Sequence, residues 1–151
     1  MKILMVCLGN ICRSPLAEGI MQSISDKRAL GLEVDSAGTS NFHIGQHPDI
    51  RSAGNALTHG VDISKSRARQ FEVDDFDYFD RIYAMDTSNY NDIISLARDK
   101  DDEDKVDKIL SVLNPGKPTS VPDPYYGGEM GFENIYTLLE EACEKITAEL
   151  S

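Results

Sequence analysis

The chain has 151 residues, three cysteines and a formal net charge of −11 at pH 7, and 40% of its residues are hydrophobic. This length suits one domain with a sizeable core, so we expect a single domain over residues 1–151. The acidic balance argues against nucleic acid or an anionic membrane as a partner, and no apolar run has membrane-spanning or signal-peptide character. Three cysteines without a disulfide-like spacing indicate a reducing, cytoplasmic setting.

Short apolar stretches alternate along the chain with segments of helical periodicity. Glycines follow two of these helical segments, at Gly31 and Gly60, as expected beyond a helix end. Asp86 or Thr87 is suited to cap a third helix. In chain order we predict a strand over 2–6, a helix over 14–29, a strand over 32–37, a helix over 49–59, a strand over 78–85, a helix over 87–97, a strand near 109–113 and a helix over 132–150.

This alternation predicts an α/β fold, namely an open four-stranded parallel sheet with helices on both faces, Rossmann-like or flavodoxin-like. Residues 106–112 are compatible with a helix or a strand, and the acidic run 99–104 is interpreted as a solvated loop. Ligands of such sheets bind at the C-terminal ends of the strands. The segment after the first strand, Ser36 and Asp86 should therefore converge.

A cysteine and an arginine flank the turn between the first strand and the first helix. The segment reads Val6-Cys7-Leu8-Gly9-Asn10-Ile11-Cys12-Arg13-Ser14-Pro15. Such a turn can wrap an oxyanion with inward-pointing N–H groups and the positive end of a helix. Arg13 can grip two phosphate oxygens, and Cys7 lies at the floor, where the same field favours a thiolate. The predicted phosphate-binding residues are Leu8, Gly9, Asn10, Ile11, Cys12, Arg13 and Ser14.

A cysteine at the end of a core strand is often only a core residue. A purely structural turn, however, has no use for Gly9, Asn10, Arg13 and Ser14 together. A thiolate beneath a bound phosphate is a nucleophile for phosphoryl transfer. The nearby histidines do not predict a zinc site with Cys7, because Arg13 would repel a cation.

The loop segment resembles the signature of the low-molecular-weight protein tyrosine phosphatases. Asp123-Pro124-Tyr125-Tyr126-Gly127 resembles the general-acid loop of that family, and residues 34–39 and 85–89 resemble its second strand and the end of its third. The resemblance covers almost the whole chain. It implies hydrolysis of a phosphotyrosine-containing protein or a small aryl phosphate through a cysteinyl-phosphate intermediate, without metal or cofactor, in a monomer or weak homodimer.

The resemblance also implies roles for individual residues. Cys7, Arg13 and Asp123 would be catalytic, with Asp123 protonating the leaving phenolate and then activating water. Ser14, Ser36 and Asp86 would support the site: Ser14 by a hydrogen bond to the Cys7 sulfur, and Ser36 by holding a left-handed Asn10. The substrate pocket would be formed by Ile11, Phe42, His43, Tyr125 and Tyr126.

Peroxide oxidises exposed thiolates to sulfenic acids. Because Cys12 lies in the same tight loop as Cys7, it could capture such an acid as a disulfide. The sequence therefore also predicts redox regulation.

Three other functions remain open. An arsenate reductase of the same fold needs further redox cysteines, and residues 78–91 contain none. A protein-arginine phosphatase favours threonine where Ile11 stands. A non-enzymatic phosphopeptide-binding module would keep Arg13 but has no need of Cys7 or Asp123.

Overall fold

The computed structural model describes residues 1–113, 120–122 and 128–150. Its elements, in chain order, are β1 (Lys2–Cys7), α1 (Arg13–Arg28), β2 (Glu33–Gly38), α2 (Ile50–Thr58), α3 (Asp75–Tyr78), β3 (Arg81–Ala84), α4 (Thr87–Ile94), α5 (Lys100–Asp104), β4 (Val106–Lys108), a 3₁₀ helix (Ile109–Val112) and α6 (Gly128–Leu150). Within residues 1–113 and 128–150, no helix combines the length and apolar character needed to cross a membrane.

In the described residues, four strands form one parallel sheet in the order β2-β1-β3-β4. Strand β1 pairs with β2 on one side and with β3 on the other. This arrangement confirms the predicted fold class. From β1 the chain forms β2 on one side and then crosses over to form β3 on the other side. The gap between β1 and β3 is therefore the topological switch point of the sheet. In open α/β sheets, ligands bind at this point, beyond the carboxyl ends of the strands.

Strand β1 is buried on both faces. Its side chains alternate, so that Ile3, Met5 and Cys7 belong to the core shared with α1 and α6, whereas Leu4 and Val6 belong to the core shared with α3 and α4. Residues 3–6 have no exposed surface. Each such aliphatic side chain contributes roughly 1.5–3 kcal/mol by leaving water. Cys7 is thus carried by the most buried strand of the sheet.

The structure corrects the predicted bounds of two strands. The fourth strand is Val106–Lys108, and the predicted strand near 109–113 is wrong because Ile109–Val112 forms a 3₁₀ turn. This turn places Ile109 and Leu110 together in the core beside α6, whereas a strand would send them to opposite faces. The third strand begins at Arg81 rather than at 78, because residues 75–78 form α3.

The predicted helices are confirmed, with small shifts at their ends. Asp49 and Asp86 are the N-caps of α2 and α4, each accepting a backbone N–H with its carboxylate. The acidic run 99–104 is not a loop: Asp99 caps the short helix α5, and Asp102 turns inward to bind Arg98. Helix α6 begins at Gly128, four residues before the predicted start.

Candidate active site

Four carbonyl groups of the loop between β1 and α1 accept hydrogen bonds from the elements around it. Their hydrogen-bond donors come from the segment after β2, from the start of α2 and from α1, so the surrounding elements fix the peptide orientations. A loop held in this way leaves its N–H groups directed inward, as an anion-binding concavity requires. The N–H of Asn10 indeed points at the Cys7 Sγ, 3.3 Å away. The accepting carbonyls are those of Cys7 (from Thr39 N, 2.9 Å), Leu8 (from Ser40 N, 3.0 Å), Ile11 (from Asp49 N, 2.7 Å) and Cys12 (from Leu16 N, 3.2 Å).

Asn10 shapes the middle of this loop. Its φ angle is 58°, the left-handed conformation predicted for it and one that asparagine tolerates better than most residues. The side-chain Oδ1 accepts the backbone N–H of Arg69 at 3.0 Å, and Nδ2 donates to the hydroxyls of Ser14 (2.8 Å) and Ser36 (2.9 Å). The predicted contact with Ser36 is therefore present. Both ends of the amide are bonded, which fixes its orientation.

The Cys7 thiol lies at the floor of the loop and is only 3% exposed. The Ser14 Oγ is 3.0 Å from its sulfur, in the first turn of α1. Ser14 is itself fully buried. The predicted pair of Cys7 and Ser14 is thus in hydrogen-bond contact, and the N–H of Asn10 points at the same sulfur.

Among the described residues, two contacts hold the guanidinium of Arg13 in place. Nη1 donates to Asp86 Oδ2 at 2.9 Å and to the carbonyl of Val121 at 3.0 Å. The other carboxylate oxygen of Asp86 accepts the N–H of Asn89 at 2.7 Å, as the cap of α4. Asp86 therefore converges on the loop as predicted. Since both contacts use Nη1, the Nε and Nη2 edge is the one suited to grip two oxygens of an anion.

Three residues that contribute to the site were not predicted. Val121 acts through its backbone carbonyl, which leaves no sequence signal. Arg69 fixes Asn10 through its backbone N–H and forms ion pairs with Asp35 and Asp75. Glu18 accepts the Ser36 hydroxyl at 2.6 Å. Its spacing of four residues from Ser14 places both on one face of α1, which was the available signal.

Burial raises the pKa of Glu18 to about 7, and the negative charge of Asp35 adds to this rise. The hydrogen bond from Ser36 and the positive charge of Arg69 act in the opposite direction. Removal from water dominates, because a carboxylate loses hydration that one hydroxyl does not replace. Glu18 therefore changes its charge close to neutral pH.

Of the predicted pocket residues, the structure describes Ile11, Phe42 and His43. Ile11 and His43 lie at the loop, where a Cβ built on Gly9 would approach the His43 ring to 2.9 Å. Phe42 is 74% exposed and lines a cavity of about 480 Å³ together with Leu8 of the loop and apolar side chains of the neighbouring elements. The predicted Asp123, Tyr125 and Tyr126 lie outside the described residues.

In residues 1–113, 120–122 and 128–150, no three His, Cys, Asp or Glu side chains are grouped so that they could hold a metal ion. Cys7, Cys12 and Cys143 form no disulfide. Cys143 lies on α6 within the hydrophobic core, and its Sγ is directed at the carbonyl of Ala17. Burial raises the pKa of its thiol well above the usual range.

The chain is similar to known proteins over almost its full length. Residues 2–151 match the family model described as "Low molecular weight phosphotyrosine protein phosphatase". The low molecular weight phosphotyrosine protein phosphatase of Gallus gallus is 39% identical over 95% of this chain and 91% of its own. A protein tyrosine phosphatase of Entamoeba histolytica superposes with a TM-score of 0.92 at 40% identity, covering 99% of this chain and 96% of its own. An arginine phosphatase of Drosophila superposes with a TM-score of 0.91 at 33% identity, covering 99% and 97%.

The matches to the family model and to the chicken protein span the loop, the sheet and the C-terminal helix together. The chain belongs to the low molecular weight phosphotyrosine protein phosphatase family.

Proposed function

We propose that this protein hydrolyses phosphotyrosine in proteins, or small aryl phosphates, through a cysteinyl-phosphate intermediate. The observation that carries the proposal is the position of the Cys7 thiol: the Asn10 N–H points at it, and four carbonyls of the surrounding loop are bonded to neighbouring elements. Arg13 completes the cradle from the first turn of α1. The names of the chicken and Entamoeba relatives support the same substrate class.

In the first step, the Cys7 sulfur attacks phosphorus in line with the phenolic oxygen. The S–P bond forms while the P–O bond to the phenol breaks. The loop N–H groups and the guanidinium of Arg13 stabilise the negative charge on the three equatorial oxygens. Asp86 and Val121 hold the guanidinium before substrate arrives, so little of the binding free energy is spent on ordering that side chain.

Asp123 supplies the proton that the leaving phenolate needs. The ionised Asp123 then takes a proton from water, which attacks the cysteinyl phosphate, and the thiolate leaves. Ser14, 3.0 Å from the sulfur, eases this departure by donating a hydrogen bond. The role of Asp123 rests on the resemblance of residues 123–127 to the general-acid loop of the family.

Selectivity for aryl phosphates comes from the proposed pocket walls, Ile11, Phe42, His43, Tyr125 and Tyr126. A slot of this kind admits a flat ring and carries its phosphate down to Cys7. A phosphoserine side chain is too short to reach the same point. The exposed ring of Phe42 supports this assignment, since large exposed aromatic side chains commonly mark binding surfaces.

The structural similarity to an arginine phosphatase makes phosphoarginine the second substrate to consider. Ile11 argues against it, because an apolar side chain in the loop suits an aryl ring better than a charged guanidinium. Arsenate reduction would need further reactive thiols. Cys143 is unsuited to that role, because it is fully buried and its raised thiol pKa disfavours the thiolate.

We further propose that the protein works in the cytoplasm, as a monomer or weak homodimer. Its three cysteines, none in a disulfide, are compatible with a reducing compartment. Its net charge of −11 disfavours association with nucleic acid and with anionic lipid surfaces.

The test is turnover of matched phosphotyrosine, phosphoserine and phosphoarginine peptides in the presence of a chelator. We expect turnover of the phosphotyrosine peptide only. Cys7→Ser should abolish turnover and still bind inorganic phosphate, because the cradle survives, whereas Arg13→Ala should lose both. Cys143→Ala, which removes a core thiol, is the control and should retain turnover. More than a trace of activity in Cys7→Ser would exclude the covalent mechanism.

A further inference from the structure

An apolar cavity lies beside the phosphate loop, and its volume is about 480 Å³. Cys7, Ile11 and Arg13 are not among the residues that line it, so it is distinct from the phosphate cradle. The proposed catalytic mechanism makes no use of it. The apolar side chains that line the cavity come from four separate segments of the chain: Leu8, Phe42, Phe71, and Ile93 with Leu96.

Three of these apolar side chains are unusually exposed. Leu8 is 48% exposed, Phe42 74% and Leu96 45%, whereas Phe71 and Ile93 are buried. Single exposed apolar side chains are common on proteins and need no explanation, but a contiguous group around one concave surface commonly marks a binding site. The exposed side chains of this cavity form such a group.

Hydrogen bonds connect the wall of the cavity to the phosphate loop. Ser40, which lines the cavity, donates to the carbonyl of Leu8 twice, from its backbone N–H and from its hydroxyl, both at 3.0 Å. On the other side of this wall, Gln70 Nε2 donates to the carbonyl of Thr39 at 3.3 Å. Because Leu8 directly follows Cys7 in the chain, a group bound in the cavity is held at a fixed position relative to the Cys7 sulfur.

We propose that this cavity is a second substrate subsite, which binds an apolar side chain of the phosphoprotein close in sequence to the phosphotyrosine. The inference rests on the proposed function, because the phosphotyrosine bound at Cys7 brings the neighbouring residues to the cavity. Phe42 connects the two sites, since it is a proposed wall of the aryl slot and also lines the cavity. It is therefore positioned to contact both substrate side chains.

The geometry of an extended peptide indicates which substrate residue occupies the cavity. Successive side chains point to opposite faces, so the side chain that points the same way as the phosphotyrosine belongs to a residue two positions away. These two residues are separated by roughly 7 Å along the chain. We assign the cavity to the residue at position −2 or +2, on the side where the chain passes over Leu8.

The charge of the cavity limits its occupant to apolar side chains. Among the described residues that line it, Asp92 is the charged one, and the net charge of the protein is −11. Both disfavour an acidic substrate side chain. A lysine or arginine would lose hydration against Leu8, Phe71 and Ile93. Leucine, isoleucine, methionine and phenylalanine have neither disadvantage.

The test compares kcat/KM for three phosphotyrosine peptides that differ only at positions −2 and +2: leucine at −2 with serine at +2, the reverse, and serine at both. One of the two leucine peptides should be hydrolysed roughly tenfold faster than the serine peptide, the lower end of the range for burying one aliphatic side chain. The difference should appear in KM, because the cavity contacts the substrate equally before and during the reaction. Equal kcat/KM for the three peptides would overturn the subsite.

A pair of matched variants locates the preference in the cavity. Leu96→Asp places a charge at its edge and should reduce the leucine-to-serine ratio of kcat/KM to about one. Leu57→Asp makes the same change at another exposed leucine, in α2 and outside the cavity, and should keep the parent ratio. The ratio is independent of the amount of folded enzyme, so a loss of stability does not affect it. A ratio that persists in Leu96→Asp, or that falls equally in Leu57→Asp, would overturn the proposal.

Phenyl phosphate has no flanking residues, so its turnover tests the proposed function separately from the subsite. Turnover of phenyl phosphate together with equal kcat/KM for the three peptides would overturn the subsite and retain the proposed function. A failure to hydrolyse phenyl phosphate and all three peptides would contradict both.

Discussion

Several side chains of the site use both ends of their polar groups. Asp86 binds Arg13 with one oxygen and caps α4 with the other, and the amide of Asn10 accepts from Arg69 while donating to two serines. Replacing such a side chain removes two interactions from the protein. Conservative substitutions that keep one end are therefore the informative ones.

Replacement of Asp123 tests the proposed proton donor. Asp123→Ala or Asp123→Asn should lower kcat by about 10²–10⁴, the usual contribution of a general acid. The loss should shrink for aryl phosphates whose leaving phenol is already acidic, because such a phenolate needs little protonation. Steady-state rates across a series of leaving groups provide the measurement. An equal loss for every leaving group would remove Asp123 from this role.

Cys12 provides the test of redox regulation. It lies in the same loop as Cys7 and is 6% exposed. We predict that peroxide inactivates the enzyme, that dithiothreitol restores it, and that a Cys12→Ser variant is active but is no longer rescued, because its oxidised Cys7 proceeds to irreversible acids. Mass spectrometry of the oxidised protein should show a Cys7–Cys12 link. A link through Cys143, or full recovery of Cys12→Ser, would contradict the prediction.

Among the secondary structure elements, α4 affects the site through its N-cap residue, Asp86. Asp86→Asn keeps an oxygen for the cap but loses the ion pair with Arg13, whereas Asp86→Ala loses both. We predict a similar fall in kcat/KM for the two variants, roughly tenfold to a hundredfold, the value of a charged hydrogen bond. Urea unfolding should show Asp86→Ala less stable than Asp86→Asn by about 1 kcal/mol, the value of a cap.

Asp49 provides the matched control for this experiment. Its carboxylate caps α2, while its backbone N–H, which a substitution leaves in place, binds the carbonyl of Ile11. Asp49→Ala should therefore lose about 1 kcal/mol of stability and retain kcat/KM. Full activity in Asp86→Asn would show that Arg13 needs no ion pair for its position.

Elements with a strong periodic or positional signal were predictable from the sequence. The strand before Cys7, the turn that follows it and the cap at Asp86 or Thr87 depend on local chemistry that the residues display, whereas Asp49 was expected inside its helix and is the N-cap. The fourth strand was misplaced because Ile109 and Leu110 are apolar in either conformation. Glu18 was missed because a glutamate on an amphipathic helix is usually solvated. Its burial is a property of the tertiary fold.

For the molecule as a whole, Glu18 links pH to stability. Its pKa is about 7 in the folded protein and near 4.5 when unfolded, so the folded state binds more protons between these values. Stability should therefore fall as the pH rises from about 4.5 to 7, by up to about 3 kcal/mol from this group. Glu18→Gln should remove this dependence, so its stability relative to the parent should be greater at pH 8 than at pH 4.5. Urea unfolding of both proteins at pH 4.5 and at pH 8 measures this. The same stability difference between variant and parent at the two pH values would contradict the prediction.

The central position of β1 also affects how the protein opens. Its amide groups pair with strands on both sides, and Cys7 is its last residue. Hydrogen exchange at such amides requires global opening, because no fraying of an edge exposes them. The floor of the site therefore persists in every partly opened state that keeps the sheet intact. Mutations that weaken the fold elsewhere should reduce the amount of native enzyme while each native molecule keeps its full catalytic rate.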